Sequence, residues 1–271
     1  MQNALERISL PKQYWKGLVI FAFMLTLFAW LMNTPPGVLG KADAIGYAVC
    51  HRIDLRSFHI GDVQLPLCSR CSGMYLGAMV GLIYQLVIGR RRIGMPSWKI
   101  ILPTAIFVLL FAVDGLNSFY SLFSNSPGLY QPNNTLRLLT GTGMGLAIAV
   151  ALFPAFNATV WHLVDPRPAF INLRTFVIMV LIAMGLNALI LLQNPIILYP
   201  LALVSAVGVL VLLTLVYAMI LMMVFKAENR INQIGQLSYA ILGGLTIALI
   251  QIGLLDIVRY FFTGTWDGFH L

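Results

Sequence analysis

Three cysteines, two histidines and three arginines fall within one polar segment, CHRIDLRSFHIGDVQLPLCSRC, running from Cys50 to Cys71. Cys50, Cys68 and Cys71 are all the cysteines of the chain, and His51 and His59 are half of its histidines. Thiolate and imidazole are the donors that zinc favours, and Cys-His-x16-Cys-x-x-Cys has the outline of a zinc knuckle. The metal reading sets Cys68 and Cys71 on one side of a tetrahedral site and Cys50 with His51 on the other. Adjacent residues diverge, so Cys50 and His51 both ligate only across a bent backbone, and His59 or a water is the alternative fourth ligand. A redox reading uses the same thiols. Cys68-x-x-Cys71 stands at a helix start beside Arg70, where the thiolate is favoured, and an outward-facing site is where disulfides persist. A plain disulfide, or three small buried hydrophobes, is the third reading.

A second set of charges flanks the first. Asp114 closes a span in FAVDGLNS, and Arg137 opens the next in NNTLRLLTGTGMG. Charges at membrane depth are usually paired, and an arginine in a first helical turn meets the unfavourable end of the helix dipole. An Arg137–Asp114 salt bridge answers both problems. The functional reading joins Arg137 to Arg56 and Arg70 as a cationic rim for an anionic headgroup or substrate. Asp256 and Arg259, three apart on the last span, form another candidate pair. His162 reads as interfacial and His270 as tail.

The elements that must position these residues are membrane helices. Hydrophobic residues make up 59% of the chain, charged residues only 10%, and mean hydropathy is +0.87, outside the range of soluble domains. Apolar runs of spanning length lie near 15–32, 73–89, 100–116, 136–155, 174–193, 199–225 and 237–262. The first lacks a small-x-small cleavage pattern after it and is read as a retained helix. Pro195 and Pro200 blur the start of the sixth. The expected fold is an all-α polytopic bundle of about seven spans over residues 1–271, with a small Cys/His-bearing extracytoplasmic insert, 33–72, between the first two. Within the insert, 41–49 reads as a short amphipathic helix. The alternation around Gly61-Asp62 reads as a hairpin that returns Cys68 and Cys71 to Cys50. Gly73, Gly77 and Gly81 on the second span, and Gly141, Gly145 and Ala149 on the fourth, form two small-residue stripes that allow close helix packing.

Basic residues orient the bundle. The N-terminal segment carries Arg7, Lys12 and Lys16, the second connection Arg90, Arg91, Arg92 and Lys99, the fourth Arg167 and Arg174, and the sixth Lys226 and Arg230. A cytoplasmic N-terminus puts them all inside and the Cys/His insert outside. The net charge of +8 is thus a topology signal, and dispersed basic residues on short loops argue against nucleic acid as a partner.

The motifs Cys50-His51, Arg56-Ser57-Phe58 and Cys68-x-Arg70-Cys71-x-Gly73-x-Tyr75-x-Gly77 resemble the signature of domain-of-unknown-function family 2085, a family of predicted integral membrane proteins. Asp114 ending a later helix, and Arg137, Thr140 and Gly141 opening the next, extend the likeness over about 45–145. The resemblance implies that His51 outranks His59 and brings no activity with it. The expected function is a membrane protein with an outward-facing zinc site and a cationic rim for an anionic, lipid-like ligand. The alternatives are a thiol-disulfide oxidoreductase exchanging electrons with a membrane quinone, and a structural subunit or transporter. The motifs assign no reaction, so the chain is read neither as an enzyme nor as a non-enzyme.

Overall fold

A computed structural model describes residues 12–124 and 128–267; Glu6 and Arg7 of the N-terminal charge cluster and His270 of the tail lie outside the described residues. The chain forms α1 (Lys12–Asn33), α2 (Gly37–Val49), β1 (Ser57–Ile60), β2 (Val63–Cys68), α3 (Ser69–Ile88), β3 (Arg92–Gly94), α4 (Trp98–Phe123), α5 (Asn134–Val160), β4 (Asp165–Pro168), α6 (Leu173–Leu191), α7 (Pro195–Val224) and α8 (Ile234–Thr263). Seven of these helices, α1 and α3 to α8, are long and apolar enough to cross a bilayer. The protein is therefore an all-α, multi-pass membrane protein, and the seven runs expected from hydropathy are its seven long helices.

Two helices differ from expectation in where they stop and start. Asp114 does not close α4, which runs on to Phe123. The polar side chains beyond Asp114 find partners, so the helix need not end there: Asn117 donates to the Tyr130 carbonyl at 2.9 Å and accepts from the Leu129 amide at 2.7 Å. Helix α7 begins at Pro195, four residues before the expected start. Proline suits a first helical position, where no N–H partner is needed, and the Asn194 side chain caps the Ile196 amide at 3.0 Å.

The glycine stripes set the central packing. A Cβ on Gly77 would lie 2.4 Å from the Thr142 carbonyl oxygen, and one on Gly145 would lie 2.0 Å from that of Met74. Gly73 and Gly141 are equally tight against Leu138 and Arg70. Helices α3 and α5 thus run parallel and backbone to backbone, with both N-termini at one end of the bundle. Polar bridges add to the packing: Gln85 of α3 donates to the Ala149 carbonyl of α5 at 2.8 Å, Thr142 of α5 to Asn187 Oδ1 of α6 at 2.9 Å, and Tyr217 of α7 to Gln251 Oε1 of α8 at 2.6 Å.

At the end where α3 and α5 begin, β1 and β2 pair as a hairpin. Ile60 faces Val63, and Gly61 takes φ +60° with a negative φ at Asp62, the φ signs of a type II′ turn. The opposite end carries a feature absent from the sequence reading, a short parallel pairing of β3 and β4. Gly94 permits it, since a Cβ there would meet the Pro166 oxygen at 2.3 Å.

Candidate functional site

Helix α2 delivers Cys50 as its C-cap, the Cys50 amide closing on the Gly46 carbonyl at 2.8 Å. The hairpin then returns the chain, pairing Ser57 with Cys68 across a bulge, and α3 begins at once, presenting Cys71 one turn along. The approach of α2 to β2 is close: a Cβ on Gly46 would fall 1.8 Å from the Pro66 oxygen. As a result the sulfurs of Cys50, Cys68 and Cys71 all lie within 4.8 Å of one another. Cys50 and Cys68 are buried, Cys71 is partly buried, and all three are free thiols.

His51 reaches this set through Cys50, its Nδ1 lying 3.6 Å from Cys50 Sγ. Cys50 itself has extended backbone, φ -132° and ψ 142°, and the left-handed turn comes only after His51, at Arg52 with φ +51°. His59, the alternative fourth ligand, is committed elsewhere, its Nε2 meeting Asp54 Oδ1 at 2.8 Å. Arg52 is buried and paired with Asp43 at 2.9 Å.

The electrostatics of the cluster favour one thiolate. Thiols of Cys68 and Cys71 directed at Cys50 hold its pKa well below the usual thiol range, against its burial. The Cys68 amide adds a hydrogen bond to the same sulfur at 3.4 Å. Cys68, sharing its proton with Cys50, is pushed up to about 12.

The three sulfurs are donors of the kind zinc favours. With Zn–S about 2.3 Å and Zn–N about 2.0–2.1 Å, ligating sulfurs stand about 3.8 Å apart and a sulfur–nitrogen edge is about 3.6 Å. The three sulfurs lie close enough to share one ion, whereas His51 Nδ1 lies at that distance from Cys50 but outside the group whose ligand atoms are all within 4.8 Å of one another.

Arg259 secures the backbone of this site. Its Nη1 donates to the carbonyls of Tyr47 and Cys50, each at 2.6 Å, its Nη2 donates to that of His51 at 3.3 Å, and the guanidinium stacks 4.0 Å over the Tyr47 ring. The expected pairing with Asp256 gives way to this arrangement. The last carbonyls of α2 lack helical partners and carry the negative end of its dipole, so they attract the guanidinium.

The arginine cluster lies on the other side of the first turn of α3. Here too the pairing differs from expectation: Asp114 is held by Arg70, not Arg137. Arg70 donates from Nε at 3.0 Å and from Nη2 to the Asp114 carboxylate, and Nη2 also reaches Ser118 Oγ at 2.9 Å. Tyr130, at 2.8 Å, and Thr140, at 3.3 Å, complete the carboxylate's shell. The Tyr130 phenol is raised to about 12 by burial and then by this bond, and so it stays a donor. Arg56 and Arg137 have neutral partners, the Ser118 carbonyl and Asn134 Oδ1, each at 3.0 Å. Arg137 is buried, with its Nε lacking a hydrogen-bond acceptor. Burial, and then the Arg70 charge, hold the Arg56 guanidinium below its usual range. Three guanidiniums thus share one carboxylate. The sequence reading did not single out Tyr130, Ser118 or Asn134, which build this shell; a tyrosine in the link between two charged helix ends was the available signal.

A family described as "Predicted membrane protein (DUF2085)" matches residues 50–151, which begin at Cys50 and end within α5. An uncharacterized protein of Methanothermobacter thermautotrophicus is 33% identical over 102 residues, covering 38% of this chain and 82% of the relative. The chain belongs to the DUF2085 family. A second relative, an uncharacterized protein of Methanocaldococcus jannaschii, is 30% identical over 115 residues, 42% of this chain and 67% of its own length. No solved structure matches. The matched segment of this DUF2085 protein contains the three cysteines, His51, Arg56, Arg70, Asp114 and Arg137, whereas α6, α7 and α8 lie beyond it.

Proposed function

We propose that this DUF2085 protein is a zinc-thiolate membrane protein that holds an anionic, lipid-like headgroup at the rim formed by Arg56, Arg70 and Arg137. The observation that carries the reading is the convergence of Cys50, Cys68 and Cys71 next to three guanidiniums that have one carboxylate between them. Zinc would be held by the three sulfurs with His51 Nδ1 as the fourth donor, and when bound it supplies a cross-link between α2, the hairpin and α3. The chain's own part is to keep the donors in place: Arg259 fixes the Cys50-His51 backbone, and the Cys68 amide directs Cys50. The arginines supply positive charge at a helix end, where a phosphate or carboxylate accepts several N–H donors at once.

The test is metal analysis of protein purified without chelators, combined with thiol counting before and after denaturation. About one zinc per chain, lost with protection of the thiols when any one cysteine becomes serine, is the expected result. Metal-free protein, or a native disulfide between Cys68 and Cys71, would remove the zinc reading and favour the thiol-disulfide alternative.

A further inference from the structure

Away from both clusters, a cavity of about 760 Å³ lies between α1 and α8, in the half of the bundle nearer Cys50. Its wall is mostly apolar, with one carboxylate set into it. Asp256 is only 3% exposed, makes no ion pair among the described residues, and has the Trp30 indole and, more distantly, the Arg259 charge facing it. Trp30 is 9% exposed, and its indole N–H is directed at the Asp256 carboxylate without closing to a full hydrogen bond. Tyr260 and Trp266 line the same space, their ring centroids 5.6 Å apart.

A carboxylate at membrane depth that faces one indole N–H and has no ion pair among the described residues is costly, and such a residue marks a binding function more often than a structural one. The surrounding chemistry narrows the ligand. Three electron-rich rings around a carboxylate suit a cationic head, because ring faces attract organic cations and the carboxylate takes the charge. Ile250 and Leu254 continue the wall as apolar surface. We infer that this cavity binds an organic ammonium bearing an apolar tail, with Asp256 opposite the charge, Trp30, Tyr260 and Trp266 around the head, and the tail along α8. The site shares no residue with the cysteine or arginine cluster, so it stands or falls independently of the zinc reading.

Titration of the full chain in a neutral maltoside detergent with decyltrimethylammonium, followed by tryptophan fluorescence, tests the inference. Decanol and decyl sulfate are the neutral and anionic probes of equal tail. Saturable binding of the ammonium, about tenfold or more tighter than either control, is expected. Asp256→Asn should weaken it by a similar factor and Asp256→Glu should retain it. Gly253 offers a variant that keeps the carboxylate: its Cβ position is 3.9 Å from Trp30 Cδ1, so Gly253→Ala is accommodated and Gly253→Leu fills the cavity. Loss of binding in Gly253→Leu but not Gly253→Ala supports the site even where Asp256→Asn fails to fold. Equal binding of all three probes by the unaltered protein, or unchanged affinity in Asp256→Asn, overturns it.

Discussion

At the residue scale the arginines divide by what they face. Arg70 meets Asp114, which is 1% exposed, whereas Arg56 and Arg137 meet only neutral oxygens. Removing one member of a buried pair leaves the other uncompensated, at about 3–5 kcal/mol. Arg70→Gln, which strands the more deeply buried partner, should therefore destabilise the protein by about that much, and Asp114→Asn by somewhat less. Arg137→Gln should change stability far less, because no charge is orphaned. Denaturation of each purified variant in detergent measures all three, and a loss at Arg137 equal to that at Arg70 would return Asp114 to Arg137. The double variant Arg56→Gln, Arg137→Gln should fold but retain less anionic lipid than the unaltered protein, as measured by lipid analysis of the purified sample. Unchanged retention would reject the anion half of the proposed function. The sequence showed that Asp114 and Arg137 are membrane charges in need of partners. It did not show which, because neighbours along the chain were compared, and the closest cation to Asp114 comes from a helix start 44 residues away.

At the element scale the site depends on close backbone approaches. Gly46 lies against Pro66, and that contact brings Cys50 at the end of α2 to Cys68 at the end of β2. Gly46→Ala should push α2 off the hairpin and lower metal retention although no ligand changes, as zinc analysis of the variant would show; full zinc occupancy would mean that α2 does not set the cluster. Gly145→Ala should destabilise by about 1–3 kcal/mol, since its Cβ would collide with the Met74 backbone. Gly185→Ala, with nothing within 4 Å, should be neutral or stabilising by up to about 1 kcal/mol. Thermal unfolding separates the two glycines, and similar shifts would show that helix propensity, not packing, governs them. These elements were largely legible. Spacing of four marks a helix face, and Gly-Asp between alternating residues marks a turn, so the stripes and the hairpin could be read from residue type alone. The β3–β4 pairing was not legible, because its residues carry no alternation and meet only through the packing of distant helices. The early start of α7 was missed because its two prolines look like breakers, although the first of them suits a helix start.

At the scale of the whole molecule the charge is divided by end. Six of the 17 Lys and Arg lie in the half that holds the cysteines, together with six of the nine Asp and Glu, so that half is close to neutral. By chain order the other eleven basic residues, and three acids, belong to the opposite end, which therefore carries the net +8. The structure explains why positive charge is tolerated at the cysteine end: Arg52 is paired with Asp43, Arg70 with Asp114, and Arg259 is spread over three carbonyls. Charge that is neutralised within the fold contributes little to orientation, which responds to basic residues on short loops near the helix ends. At the opposite end Arg90, Arg91 and Arg92 follow α3 directly, and of these Arg92 is 3.4 Å from Asp165, a carboxylate that also takes Arg167. The bundle should accordingly sit with its N-terminus and the β3–β4 end in the cytoplasm and the cysteine cluster outside. A fluorescent protein joined after Arg91 should be bright, and one joined after Asp62 dark, with an exported phosphatase giving the reverse pattern at the same two positions. A bright fusion at Asp62 would place the thiols in a reducing compartment. That would reverse the orientation and remove the disulfide alternative, while leaving the zinc site chemically sound.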